Sequence, residues 1–286
     1  RAGVVREWQA AWEHYRKGVD SNSRVRVMTE APIKPHLPGL ADVEGGLTPL
    51  MTPVMLSGAS PRTEQRLKNF FAHRGVEVIG AGSLAGSNGG DAPAASPPIE
   101  AGSSLAVPLM TGDLAMASTG TVTWREGDKL IAFGHPMFFA GPAKAPMAAS
   151  YIFGFMQSYS RPFKLGEVRE TLGTIEQDRQ YGIGGLFGSQ PARTEITVDV
   201  GGPASSRPRT YHFSCWRDPD YLPMLAVTAF EDAYLASASE TGKVTVDTHY
   251  RMKLGDGQLI EKQFTTSSSS FPVATPGTSL LYDMYM

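Results

Sequence analysis

"STGTVTWREGDKLIAFGH", from Ser118 to His135, decides the fold. Two apolar runs rich in β-branched residues flank Glu126-Gly127-Asp128, which has the chemistry of a short turn. The stretch therefore reads as two strands joined in a hairpin. It continues as "KLIAFGHPMFFAG", Lys129 to Gly141, and places His135 between a glycine and a proline at a strand end. A histidine there has a fixed backbone and a ring free to face a cleft, as a general base requires. The same position equally suits a packed ring that only closes the strand.

Outward from this hairpin the chain stays β-rich. "TEITVDVGG" alternates through Ile196, Val198 and Val200. "KVTVDTHYRMKL" alternates through Val244, Val246, Thr248, Tyr250, Met252 and Leu254, then turns at Gly255-Asp256-Gly257 into "QLIEKQF". That is a long hairpin with one buried face. Repeated short strands with glycine turns from Leu105 to Met286 predict a barrel or sandwich.

Upstream, residues 81–104 are dominated by Ala, Gly, Ser and Pro and are expected to form a flexible linker and domain boundary. Before it, "SPRTEQRLKNFFAHRG" predicts a helix. Ser60 caps it, Pro61 suits its first turn, Gly75 closes it, and Leu67, Phe70 and Phe71 form its buried face. "VEVIG" follows as a strand. Residues 24–58 read as extended, punctuated by Pro32, Pro35 and Pro38. The first segment is a helix with Val4, Trp8, Ala11, Trp12 and Tyr15 on one face. Residues 1–80 are thus expected to hold an N-terminal helix and a small α+β segment.

Composition narrows the function. The formal net charge is −2, without the basic stripe of a nucleic-acid binder. No apolar run is long enough to span a bilayer as a helix. The single cysteine, Cys215, has no thiol partner, and the six histidines have no paired ligand spacing, so neither metal nor cofactor is expected. Gly182, Gly184, Gly185 and Gly188 follow no strand-to-helix pattern and read as turn makers rather than a phosphate loop. Asp178-Arg179, beside these glycines, reads as an exposed loop pair. It would fix the loop through backbone hydrogen bonds or bind a substrate carboxylate. The chain opens on Arg1 and so reads as a trimmed fragment, with room for a leader upstream.

Three segments together resemble the SpoIVB-type serine peptidase domain. "GTVTWREGDKLIAFGHPM" is similar to the family's strand, turn and second strand ending in Gly-His. "ETLGTIEQDRQYGIGGLFG" is similar to its "GxI" strand leading into a "GIxGxL" turn, and "YHFSCWRDPDYLPML" resembles its strand running into "D-P-x-x-L". The resemblance spans about residues 105–235. It implies a chymotrypsin-like double β-barrel, a location in the periplasm or cell envelope, His135 as catalytic base and Asp218 as the acid that orients it. Asp178 is the reserve acid.

The chain departs from the family at the nucleophile. The peptidases carry "G-x-S-G-S-P" soon after the aspartate, where a following glycine lets the turn aim amides at an oxyanion. After Asp218 no serine is followed by glycine. The one Ser-Gly pair in the chain is Ser57-Gly58, upstream of His135 and next to a helix start. Two functions follow. One is a non-catalytic module that binds a protein partner or takes part in assembly. The other is an active serine endopeptidase acting on a polypeptide substrate, with His135 as base and Ser57 as the first candidate nucleophile.

Overall fold

The computed structural model describes residues 51–72, 74–81, 98–156, 163–202, 208–237, 244–253 and 257–268. All of them belong to the compact unit Met51–Met286. The helix expected around Trp8 and Trp12 lies outside the described residues.

The protein is mainly β. In chain order the elements are β1 (Thr52–Ser57), α1 (Pro61–Phe71), β2 (Val76–Gly80), β3 (Ser104–Gly112), β4 (Ala115–Glu126), β5 (Lys129–Ala132), β6 (Gly141–Met156), β7 (Phe163–Arg179), β8 (Gly182–Phe187), β9 (Arg193–Val200), β10 (Arg209–Trp216), α2 (Leu222–Ser237), β11 (Val244–Lys253) and β12 (Leu259–Ser268). Ten strands form one sheet in the order β2-β1-β4-β5-β8-β7-β6-β3-β10-β9, and β3 also pairs with β4. That additional pairing closes β3-β4-β5-β8-β7-β6 into an antiparallel ring. Among the described residues one ring closes, where the resemblance implies two barrels.

The β3–β4 hairpin serves two layers. Leu105 and Ala106 of β3 pair with β6, and Val122 to Glu126 of β4 pair with β5, so this half belongs to the barrel. Nearer the hairpin's turn, Ser57 and its neighbours on β1 pair with residues 115–117, while β10 pairs with residues 110–112. This second half carries the flanking strands β1, β2, β9 and β10 as an open sheet that also packs against α1 and α2. Leu105, Val107, Leu109, Met116, Leu130, Met147 and Ile183 are fully or almost fully buried in one continuous core.

Local sequence explains the departures from regular pairing. Pro142 and Pro146 stand in β6, and Pro108 stands in β3. The register shifts next to Pro108 and Pro142, where a missing donor costs no ladder bond. Gly120 is glycine because a Cβ there would lie 2.2 Å from the ring of Phe133.

Two expectations need correction. Residues 52–80 are no separate segment, since β1 and β2 extend the sheet that holds the barrel. Residues 98–104 are no loose linker either. Ile99 is buried, Gly102 N–H donates to the Val122 carbonyl at 2.8 Å, and Arg125 Nη1 donates to the Ile99 carbonyl at 2.6 Å. Ile99 and these backbone bonds tie the end of the low-complexity stretch to β4, which composition does not reveal. Residues 82–97 lie outside the described residues. The expected C-terminal hairpin is present as β11–β12, paired from Val244↔Ser268 to Lys253↔Leu259.

Candidate functional site

The site is built around the connection between β5 and β6, residues 133–140. Phe133 (φ 73°) and Phe139 (φ 57°) are the only non-glycine residues with positive φ among the described residues, and both lie in this loop. L-residues there are strained by about 1–2 kcal/mol each. Something must over-determine the backbone for it to persist.

Phe133 N–H donates to the Thr121 carbonyl at 2.9 Å, and the Phe139 half of the loop is held by Asp178, near the end of β7 opposite Gly141. Its side chain is buried, 3 % exposed, and accepts three backbone bonds from the loop. Met137 N–H donates to Oδ1 at 2.8 Å; Phe138 and Ala140 N–H donate to Oδ2 at 2.7 and 3.2 Å. Burial pushes its carboxyl above the ordinary range, while the three amides and the nearby His135 charge pull it back in part. Phe138 points the other way, into an aromatic stack. Its ring centroid lies 4.8 Å from Tyr221, 6.1 Å from Trp216 and 6.4 Å from Phe71. Thr52 Oγ1 donates to the Pro136 carbonyl at 3.2 Å. The loop is thus pinned by β7, by β1 and by the aromatic wall where β10 runs into α2.

His135 is exposed, and its Nδ1 lies 2.7 Å from the Pro136 carbonyl. A carbonyl only accepts, so Nδ1 carries the proton of this bond and Nε2 is the unprotonated nitrogen when the ring is neutral. Asp218, the acid expected from the resemblance, is engaged elsewhere. Its Oδ1 accepts from Asp220 N–H at 3.0 Å, and its carbonyl accepts from Leu222 N–H at 2.8 Å, starting α2. Burial raises its carboxyl, and Asp220 adds to the rise. Asp178, the reserve acid, bonds the same loop from Met137 onward, and both of its oxygens are bonded to amides.

Ser57 lies at the other end of β1 from this site. Thr52 at the start of the strand touches Pro136, whereas Ser57 five residues on pairs with Ala115. Five residues of strand span about 16 Å. The structure therefore sets Asp178 against the loop that carries His135 and leaves Ser57 apart from that loop. Gly58, with φ 83°, packs against the Asp113 carbonyl beside the helix start, as a turn would require.

The Asp178-Arg179 pair divides its work. Asp178 fixes a loop through backbone bonds, as one alternative expected, but it does so from a buried strand. Arg179 is exposed and its Nε donates to Gln177 Oε1 at 2.8 Å. Sequence reasoning missed Tyr221 and Trp216 as the wall behind the loop; "CWRDPDY" carried them without periodicity. Burial pushes the Tyr221 hydroxyl well up, with Asp218 adding to the rise. Cys215 next to them is fully buried, its thiol pushed up to about 12 by burial, so it is inert as a nucleophile. Among the described residues no three His, Cys, Asp or Glu side chains converge as a metal ion needs, and no helix is long and apolar enough to cross a membrane.

No protein-family model matches the chain, and no curated protein or solved structure is significantly similar to it.

Proposed function

We propose that this chain is a non-catalytic, SpoIVB-peptidase-like module that binds a protein partner or takes part in assembly. The observation that carries the reading is the fate of Asp178. In a serine peptidase an acid accepts from the histidine Nδ1–H and stabilises the imidazolium that forms. Here the carboxylate that holds the His135 loop spends both oxygens on Met137, Phe138 and Ala140, and the histidine donates to its own neighbour's carbonyl. The distance of Ser57 from the loop and the missing Gly-x-Ser-Gly downstream of Asp218 support the same reading.

The closed antiparallel ring supports the barrel part of the family resemblance, and a chymotrypsin-like double barrel remains the finer form of the proposal. A place in the periplasm or cell envelope belongs to it through the same resemblance. The test is a fluorophosphonate probe, which labels only an activated hydroxyl. The expected result is no labelling of the folded chain. Labelling that disappears in His135→Ala would overturn the proposal in favour of a serine endopeptidase.

A further inference from the structure

We infer that the outer face of the His135 loop is a docking surface for an acidic polypeptide segment carrying an apolar side chain, with Phe139 as anchor and Arg179 as charge partner. The inference deepens the non-catalytic reading above by naming the partner's class, and it rests on that reading.

Three observations carry it. The first is that Phe139 is placed outward at a double cost. Its backbone is left-handed, φ 57°, and its ring is 70 % exposed. Most of this residue stays in water, yet the amides on either side of it are both clamped to Asp178 Oδ2. Strain held this firmly, at the point where an apolar ring is shown to water, fits a surface awaiting a partner.

The second observation is that the neighbouring exposed groups emerge at the same end of the barrel. The β7–β8 turn is flanked by the loop on both sides: a Cβ at Gly182 would lie 3.5 Å from Gly134 N, and one at Gly141 would lie 3.8 Å from Arg179 Nη1. Tyr181 stands at the tip of that turn, 58 % exposed. Phe139, Tyr181, Arg179 and His135 are thus exposed residues of two adjoining segments.

The third is its charge. Asp178, the carboxylate adjacent to Arg179 in the chain, is turned inward and buried, and Glu176 on the same strand is buried too. Arg179 pairs with no carboxylate among the described residues, and its bond to the fully buried Gln177 orients the guanidinium. A fixed planar fork beside aromatic rings is suited to a carboxylate on a chain that also inserts an apolar side chain. Asp218 and Asp220 lie around Tyr221, on the Phe138 side, and would repel an acidic ligand from that side. An anionic membrane is the weaker candidate, because such surfaces attract clusters of basic residues at about 1 kcal/mol each and this patch has one arginine.

The test is an array of short peptides in which charge and aromatic content vary independently, probed with the whole 286-residue chain. Signal should concentrate on peptides where Asp or Glu flank an aromatic or large aliphatic residue. The strongest peptide is then titrated by fluorescence anisotropy. Phe139→Gly should weaken it by about tenfold or more while the melting temperature holds or rises, since glycine is relaxed at this φ. Arg179→Gln should weaken it severalfold and flatten its salt dependence. An array with no acidic preference, or acidic peptides bound equally by both variants, overturns the inference. So does binding to phosphatidylserine vesicles, lost in Phe139→Gly, without acidic-peptide binding. Fluorophosphonate labelling would sink the non-catalytic reading while leaving the dependence on Phe139 and Arg179 intact. A clean probe result with no acidic preference would sink only the docking surface.

Discussion

Two buried aspartates do the same job in different parts of the molecule. Asp178 on β7 accepts three amides of the His135 loop, and Asp232 on α2 accepts the Ser60 N–H at 2.9 Å and the Thr63 hydroxyl at 2.6 Å. Both are buried, at 3 % and 6 % exposure, and both tie down a segment far away in sequence. What they hold differs. Asp232 docks the start of α1, which is already relaxed: Ser60 caps it through Thr63 N–H at 3.2 Å and Pro61 opens it. An ion pair between Arg66 and Glu231 reinforces the same contact. Asp178 instead holds the stretch from Met137 to Ala140, in which Phe139 is left-handed. One clasp completes the fold. The other stores strain, and the stored strain is what points to function.

The largest effect should come from Asp178→Asn. Asparagine has one acceptor oxygen, so its NH2 would face at least one of the three loop amides, donor against donor. A loss of about 2–4 kcal/mol is expected in denaturant unfolding at neutral pH. The pH dependence has a definite sign. Burial raises the Asp178 carboxyl above its ordinary 3.8, so the folded chain keeps this proton to a higher pH than the unfolded chain. That contribution to stability is fully present below about 3.8 and is lost as pH rises through the folded value. The gap between wild type and Asp178→Asn should therefore narrow as pH rises through this window. A gap that widens there would mean that the amides, not burial, dominate the carboxyl.

Asp232→Ala should cost somewhat less, about 2–3 kcal/mol, because one amide and one hydroxyl lose their acceptor. Its value lies in what it leaves intact. The His135 loop makes no hydrogen bond to Asp232, so acidic-peptide binding should survive in the folded variant. Loss of binding there, measured well below its melting temperature, would erase the distinction between a clasp for the fold and a clasp for the site.

How far these features can be read from the sequence follows from their physics. The β4–β5 hairpin, the β11–β12 hairpin and the cap at Ser60 are local, and alternation, turn residues and capping chemistry reveal them. α2 was hidden because it is buried on most faces, from Pro223 through Ala233 to Ser237, and so shows no 3.6-residue stripe. β6 was hidden by its prolines. Asp178 looked like an exposed loop charge because adjacent Asp and Arg beside glycines usually are; only the β6–β7 pairing turns it inward. His135 stands out for its Gly-His-Pro setting, yet the groups that hold its loop, Asp178, Thr52 and Tyr221, come from β7, from β1 and from the link between β10 and α2.

The smallest effect should belong to the residue that looked most chemical. His135 is exposed, its one described bond runs to the next residue's carbonyl, and its ring lies 5.7 Å from that of Phe133 in a tilted contact. His135→Ala should shift stability by no more than about 0.5 kcal/mol, the range of ordinary surface changes. The loop geometry should persist, because it depends on the carboxylate of Asp178 and not on the imidazole. Phe139→Gly then provides the sharper contrast: it removes a surface ring too, but from a strained backbone, so it should raise stability where His135→Ala leaves it flat. Side-by-side melting of the two variants decides the matter. A His135→Ala variant destabilised as much as Asp178→Asn would show that the histidine, rather than the aspartate, holds the loop together.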